Sequence, residues 1–172
     1  SAEASLWNKR TMHRAYGFDP SFFIESLEKD ELINGWLSDG SFLKQTAARL
    51  ARARQPFFAY IITATSHHPY RAAYPAAKWK PLGLRIDQDS MLYDYLQAMH
   101  YLDHVLKVFI EDLRAVGLLD NSVIFLYGDH GAALPPEDMK KIKQDIVAPY
   151  SCGKTVKIPL FIRMPGQRYG KV

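Results

Sequence analysis

The residues best equipped for chemistry are Asp129 and His130, an adjacent carboxylate and imidazole set between Gly128 and Gly131. A hard oxygen beside an imidazole nitrogen is a donor mixture that suits Zn²⁺, Mn²⁺ or a similar divalent ion. The glycines let the backbone turn tightly and leave room for an ion or a phosphate. Asp and Gly are also ordinary turn residues, so the four residues alone serve equally well as a hydrogen-bonded strand end. A second cluster is Thr65-Ser66-His67-His68-Pro69-Tyr70. Successive side chains of an extended chain point to opposite sides, so His67 is expected to face a cleft while His68 faces solvent or a lid. His100 and His104 stand four apart, on one helix face, with Asp103 between them. The H-E-x-x-H pattern is missing there, and a solvated polar face is the better account. Cys152-Gly153-Lys154-Thr155 ends like a phosphate-binding P-loop, but Ala148 stands where the first glycine belongs, so the match is accidental. Trp7 with Lys9 and Arg10 places an aromatic beside cations, which can grip a phosphorylated small molecule or form a docked terminus.

The elements that must carry these residues follow from hydrophobic pattern. Val123 to Tyr127 is five residues without a polar break, the mark of a strand buried on both faces in a parallel sheet. Phe57 to Thr63 has the same character and runs into His67. Between them lies a long helix, Ser90 to Val116. Leu92, Leu96, Met99, Leu102, Val105, Leu106, Phe109 and Leu113 form its apolar stripe, and Gly117 is its left-handed stop. Strand, helix, strand makes a right-handed βαβ unit with parallel strands. His67 and Asp129-His130 are then expected at one edge of the sheet, where ligands of α/β proteins gather. That expected convergence favours the ion reading over the turn reading.

Elsewhere, Asp19-Pro20 opens a predicted helix to about Lys29, with Pro20 at its first position. A second predicted helix runs from Ser38 or Asp39 to near Arg54. The Pro-punctuated stretch from Pro69 to about Asp89 reads as a lid or a disordered segment. A short helix is predicted over Glu137–Ile146 and a third strand over Val156–Arg163. The class is α/β, a largely parallel sheet flanked by helices.

The 172 residues are one domain's worth of chain, with 48% hydrophobic and 23% charged residues, ordinary for a globular protein. The single cysteine excludes an internal disulfide framework. A net charge of +4 mildly favours anionic partners. The basic residues are scattered, which argues against nucleic acid. No run approaches the ~20 apolar residues of a membrane span, and Ser1-Ala2-Glu3-Ala4 carries no signal-peptide pattern.

Several stretches in fixed order resemble one family: Leu6-Trp7-Asn8-Lys9, Gln55-Pro-Phe-Phe-Ala59, Ser66-His-His-Pro-Tyr70, Tyr101-Leu-Asp103, Gly117-Leu-Leu-Asp-Asn-Ser-Val-Ile124 and Tyr127-Gly-Asp-His130. Together they resemble the lipoteichoic acid synthases, sulfatase-like phosphoglycerol transferases of the alkaline phosphatase superfamily. The resemblance implies a partial sulfatase-like catalytic domain over residues 1–172, truncated at both ends. It implies that Asp129 and His130 are two ligands of a single divalent ion, Mn²⁺ with Mg²⁺ or Zn²⁺ as alternatives. It implies that His67 binds a glycerol phosphate group in a pocket lined by Trp7. Lys9 falls where the family commonly has arginine; lysine keeps the charge but loses bidentate phosphate recognition, and Arg10 substitutes only if the backbone shifts. The implied partners are phosphatidylglycerol and a glycerol phosphate polymer at the extracellular face of a bacterial membrane, with membrane segments lying outside this chain and no nucleic acid. The family's threonine nucleophile and acidic metal ligand precede the tryptophan, so this chain alone is expected to be inactive. The alternatives are a sulfatase or phosphoethanolamine transferase of the same superfamily, or a non-catalytic module that binds anions.

Overall fold

The computed structural model describes residues 3–5, 8–71, 82–83, 85–132, 134–140 and 158–166. Trp7, Cys152-Thr155, most of the stretch between Pro69 and Asp89, and the end of the helix expected over Glu137–Ile146 lie outside the described residues.

A short helix, α1 (Lys9–Ala15), buries no residue, and no apolar periodicity announces it. It closes through Gly17 at φ 82°, with the Gly17 amide on the Arg14 carbonyl and the Phe18 amide on the His13 carbonyl. The helix expected after Pro20 is instead irregular backbone with one 3₁₀ turn, Ile24–Ser26. Its continuation is blocked by tertiary hydrogen bonds. The Ser26 carbonyl takes a bond from the Arg49 guanidinium (2.8 Å), and the Glu28 amide bonds the Gln45 side chain (2.9 Å). The Ser26 hydroxyl also turns back onto the Phe23 carbonyl, a local bond that competes with helix.

Strands β1 (Leu32–Ile33) and β2 (Trp36–Leu37) form a tight antiparallel hairpin. Asn34 and Gly35 turn it with φ of 52° and 78°, the two positive values a type I′ turn demands. The hairpin delivers the chain into α2 (Asp39–Leu50), whose N-cap is Ser38: its hydroxyl accepts the Ser41 amide at 3.1 Å. The long helix α3 (Met91–Ala115) starts and stops where the sequence places it. Ser90 caps it by accepting the Tyr93 amide at 3.2 Å, and the buried Asp138 carboxylate accepts the Leu92 amide at 3.1 Å. Gly117, at φ 74°, closes it: the Leu118 amide reaches the Leu113 carbonyl and the Gly117 amide the Arg114 carbonyl.

Helices α2 and α3 pack against each other, and with the hairpin they enclose the core around Leu37, Phe42, Leu43, Val105 and Phe109. Along the first half of α3 the buried face carries Gln97, Ala98 and Tyr101, while Leu96, Met99 and Leu102 are only partly covered. The shift has a physical cause. Gln97 buries its amide by bonding both the N–H and the C=O of Leu82, and the Tyr101 hydroxyl accepts the Gly40 amide. Polar groups satisfied in this way compete with leucine for interior positions.

A 3₁₀ turn, Leu119–Asn121, leads into β3 (Ile124–Tyr127), which pairs antiparallel with β4 (Leu160–Arg163), Ile124 opposite Arg163 and Tyr127 opposite Leu160. The short helix α4 (Pro136–Met139) lies between them in sequence. The α/β class stands, but the strand pairing differs from the sequence reading. Both ladders among the described residues are antiparallel, and the 57–63 segment joins neither. Residues read as buried on both faces are also largely open, Phe58 being 78% exposed and Phe125 59%, as is Phe161 of the paired strand at 64%. Among the described residues no further strand or helix covers them, whereas Ile61 and Ile124 still pack on the common core.

Candidate metal and anion site

Asp129 and His130 follow directly from the end of β3, so the strand fixes where they emerge. The Asp129 Oδ1 and His130 Nε2 atoms are 3.8 Å apart, with side chains 81% and 62% exposed. His130 Nδ1 lies 2.9 Å from the Gly131 carbonyl. A carbonyl can only accept, so Nδ1 is the donor, and in the neutral ring Nε2 is the nitrogen with the lone pair. A backbone carbonyl on the far ring nitrogen is the usual way a metal-binding histidine is oriented. The pair fits a divalent ion as two of its ligands: a carboxylate oxygen and a free imidazole nitrogen, close together and open to solvent. Among the described residues no group of three or more such side chains forms, so the pair is a partial donor set. His100, Asp103 and His104 belong to no such group either.

His67 repeats the arrangement. It lies in a turn closed by its own amide on the Ala64 carbonyl (3.0 Å) and by the Tyr70 amide on its carbonyl (3.2 Å). Its Nδ1 is 2.7 Å from the His68 carbonyl, which again leaves Nε2 as the outward atom of an exposed ring. His68 stands edge-on to Tyr70, with ring centroids 5.6 Å apart, and Tyr70 is buried with its own ring edge-on to Tyr95 of α3 at 5.2 Å.

The described contacts tie the two halves of the candidate site through tyrosines. Tyr60, seven residues before His67, hydrogen-bonds Tyr127, two residues before Asp129. That bond pushes the Tyr60 phenol above its ordinary pKa; partial burial and the charges of Tyr127 and Asp129 add to the rise. The segment entering the His67 turn therefore runs beside the end of β3. The direct polar partners described for His67 and His130 are neighbouring carbonyls rather than each other's groups.

Lys9 and Arg10 begin α1. Arg10 acts on Glu25, whose carboxyl sits below its ordinary range. Backbone hydrogen bonds, including the one from Ala4 at 3.0 Å, are the main cause, with Arg10 and Lys29 adding to it. Trp7, expected from the sequence to line the same pocket, lies outside the described residues.

The sequence reading overlooked Asp39. It is wholly buried at the first position of α2, yet its carboxylate is occupied by residues 25 and 26 positions away. Oδ1 accepts the Ala64 amide at 2.8 Å, Oδ2 the Thr65 amide at 3.0 Å, and the Asp39 amide donates to Thr65 Oγ1 at 3.0 Å. Burial pushes this carboxyl up, and the Ala64 and Thr65 donors pull it part of the way back. No local pattern marks such a role, since Asp after Ser at a helix start reads simply as helix initiation.

The Sulfatase family model matches residues 1–170. Lipoteichoic acid synthase 1 of Bacillus subtilis is 32% identical over 96% of this chain, and the lipoteichoic acid synthase of Staphylococcus aureus 28% over 96%. The chain spans about a quarter of the length of these relatives, 26% of each. The crystal structure of the lipoteichoic acid synthase LtaP from Listeria monocytogenes superposes with a TM-score of 0.80 at 29% identity, over 98% of this chain and 43% of that one.

Proposed function

We propose, from the premise that this chain belongs to the sulfatase family, that it is part of the catalytic domain of a metal-dependent phosphoglycerol transferase. The donor is phosphatidylglycerol and the acceptor a growing glycerol phosphate polymer of the lipoteichoic acid type, in keeping with the relatives' names. The native protein works at the extracellular face of a bacterial membrane. None of the described helices is long and apolar enough to cross one.

Asp129 and His130 hold a single divalent ion, Mn²⁺ in preference to Mg²⁺ or Zn²⁺. Bound there, it supplies positive charge for a developing oxyanion and lowers the pKa of a nearby hydroxyl. His67 presents Nε2 to the glycerol phosphate group, Lys9 and Arg10 contribute positive charge to the headgroup, and Trp7 walls its pocket. The nucleophile is a threonine outside these residues. Its oxygen bonds phosphorus as the bond to the diacylglycerol oxygen breaks, and diacylglycerol leaves with the proton. The polymer's terminal hydroxyl then attacks the glycerophospho-threonine, forms the new phosphodiester and returns the threonine hydroxyl. Alignment and charge supply most of what such a two-step transfer needs.

One observation carries this reading: His130 has its Nδ1 held by the Gly131 carbonyl, which leaves Nε2 beside the Asp129 carboxylate. The test is diacylglycerol release from phosphatidylglycerol by the full-length protein. Asp129→Asn and His130→Ala should each lower it by on the order of a hundredfold or more. Unchanged release in both variants refutes the assignment. Preference for a sulfate ester or for phosphatidylethanolamine as donor moves the activity to another branch of the superfamily. Turnover by the 172 residues alone contradicts the need for an external threonine.

A further inference from the structure

We propose that Asp39 is a positioning residue for His67, locking the turn that presents this imidazole to the glycerol phosphate group. The proposal rests on the headgroup role given to His67 above. The route from one residue to the other is short. Asp39 accepts the amides of Ala64 and Thr65 and donates its own amide to the Thr65 hydroxyl. The Ala64 carbonyl in turn accepts the His67 amide at 3.0 Å, so two hydrogen bonds separate the Asp39 carboxylate from the His67 backbone. On the far side Tyr70 is buried, at φ 67°, and its ring leans on Tyr95 of α3. The exposed His67 is thus mounted between two buried anchors, Asp39 at the start of α2 and Tyr70 packed against Tyr95 of α3.

The burial of Asp39 is what makes the clamp stiff. A carboxylate open to water exchanges its partners freely, whereas one enclosed with two amide donors keeps them, because release leaves all three groups unsatisfied in the interior. Helix capping alone does not require this arrangement. Ser38 already caps α2, and both carboxylate oxygens of Asp39 point away from α2 to the 64–65 backbone. Burial raises the Asp39 carboxyl, and both oxygens keep a lone pair for an amide in either protonation state.

The experiment compares Asp39→Asn, Thr65→Val, Ser38→Ala and His67→Ala in the full-length protein. Asn keeps the shape of Asp39 but turns an N–H donor toward one of the two amides. Val removes the Thr65 acceptor and leaves the carboxylate in place. Ser38→Ala weakens the start of the same helix without touching the clamp. The readouts are binding of glycerol phosphate, the His67 ring resonances, amide exchange at Ala64 and Thr65, and the thermal midpoint. Asp39→Asn and Thr65→Val should shift the His67 resonances, speed exchange at residues 64 and 65 about tenfold or more, and weaken glycerol phosphate binding by about five- to tenfold. Ser38→Ala should lower only the midpoint. If Asp39→Asn lowers the midpoint as Ser38→Ala does, but leaves the His67 resonances and binding unchanged, Asp39 is structural only and the proposal is overturned. If His67→Ala itself leaves binding unchanged, the headgroup reading fails and the positioning function falls with it. Loss of binding in His67→Ala without loss in Asp39→Asn refutes positioning alone.

Discussion

Replacing Tyr101 by phenylalanine removes one oxygen from the contact between α2 and α3 and leaves the ring in place. Tyr101 is buried on α3, and its hydroxyl accepts the Gly40 amide at 3.3 Å. Gly40 is the second residue of α2, so this amide has no intrahelical acceptor and depends on an outside partner. Without the hydroxyl, a half-buried donor is left unmet at a cost of about 1–3 kcal/mol. The ring stays, so only a small void adds to that figure. A loss of about 2 kcal/mol should lower the midpoint of a domain this size by roughly 4–8 °C. The pH dependence gives a second, independent reading. Burial is the main cause holding the Tyr101 phenol above its ordinary pKa; Glu31 and Asp39 add to the rise, against hydrogen bonding with Ser38 and the Gly40 amide. A group whose folded pKa is raised contributes its stability fully below the unfolded value, about 10 for tyrosine, and loses it as pH rises through the folded value. Tyr60 and Tyr95 are raised as well, but they are common to both proteins and cancel in the difference. Urea unfolding of the two proteins between pH 8 and pH 11 should therefore show a constant gap up to about pH 10 that narrows above it. A phenylalanine variant as stable as the parent, or a gap that widens in alkali, refutes the argument.

Gly117→Ala should destabilise by about 1 kcal/mol, because the left-handed conformation strains alanine while the stiffer unfolded chain recovers part of the loss. Nothing lies within 4 Å of the added carbon, so chemical denaturation reads backbone strain alone. Leu37, 0% exposed at the end of the hairpin, should lose about 2–5 kcal/mol on truncation to alanine, measurable as a lower urea midpoint at unchanged slope. Mn²⁺ at a hundredfold excess over its Kd should stabilise the full-length protein by about 2.7 kcal/mol, falling to about 0.4 kcal/mol in His130→Ala if affinity drops about a hundredfold. Chelation should erase the difference in thermal midpoint between parent and variant. In acid, the raised Asp39 carboxyl keeps a proton that the unfolded chain has released, so its share of stability falls as pH rises from about 4. Asp39→Asn should flatten that slope in unfolding experiments.

The sequence marked the parts whose causes are local. Ser90 and Gly117 set the ends of α3, and Ser38 the start of α2, because a cap acts on the three or four residues beside it. Asn34-Gly35 is an equally local signal and passed unread, since strands of two residues are too short for alternation to register. Helix α1 escaped because it buries nothing and so leaves no apolar stripe. Failures of the other kind came from distance in sequence. Arg49 and Gln45 of α2 claim the backbone groups that a helix beyond Ile24 would need, and Asp39 is spoken for by residues past the next segment. Period-based reading also placed leucines inside along α3 where Gln97 and Tyr101 go, because it assigns no interior value to a satisfied polar group. In the candidate site, the adjacency of Asp129 and His130 after a strand could be read directly. The hydrogen bond between Tyr60 and Tyr127 could not, since it joins residues that only the fold brings near.

The two imidazoles have one further consequence. Each ring donates Nδ1–H to the carbonyl of the residue that follows it, so in both the remaining nitrogen stands ready for any electrophile in solution. An acylating reagent such as a pyrocarbonate should mark Nε2 of His67 and of His130 alike. Protection of one ring by an ion and of the other by an anion would then be visible as two separate footprints in a single peptide map.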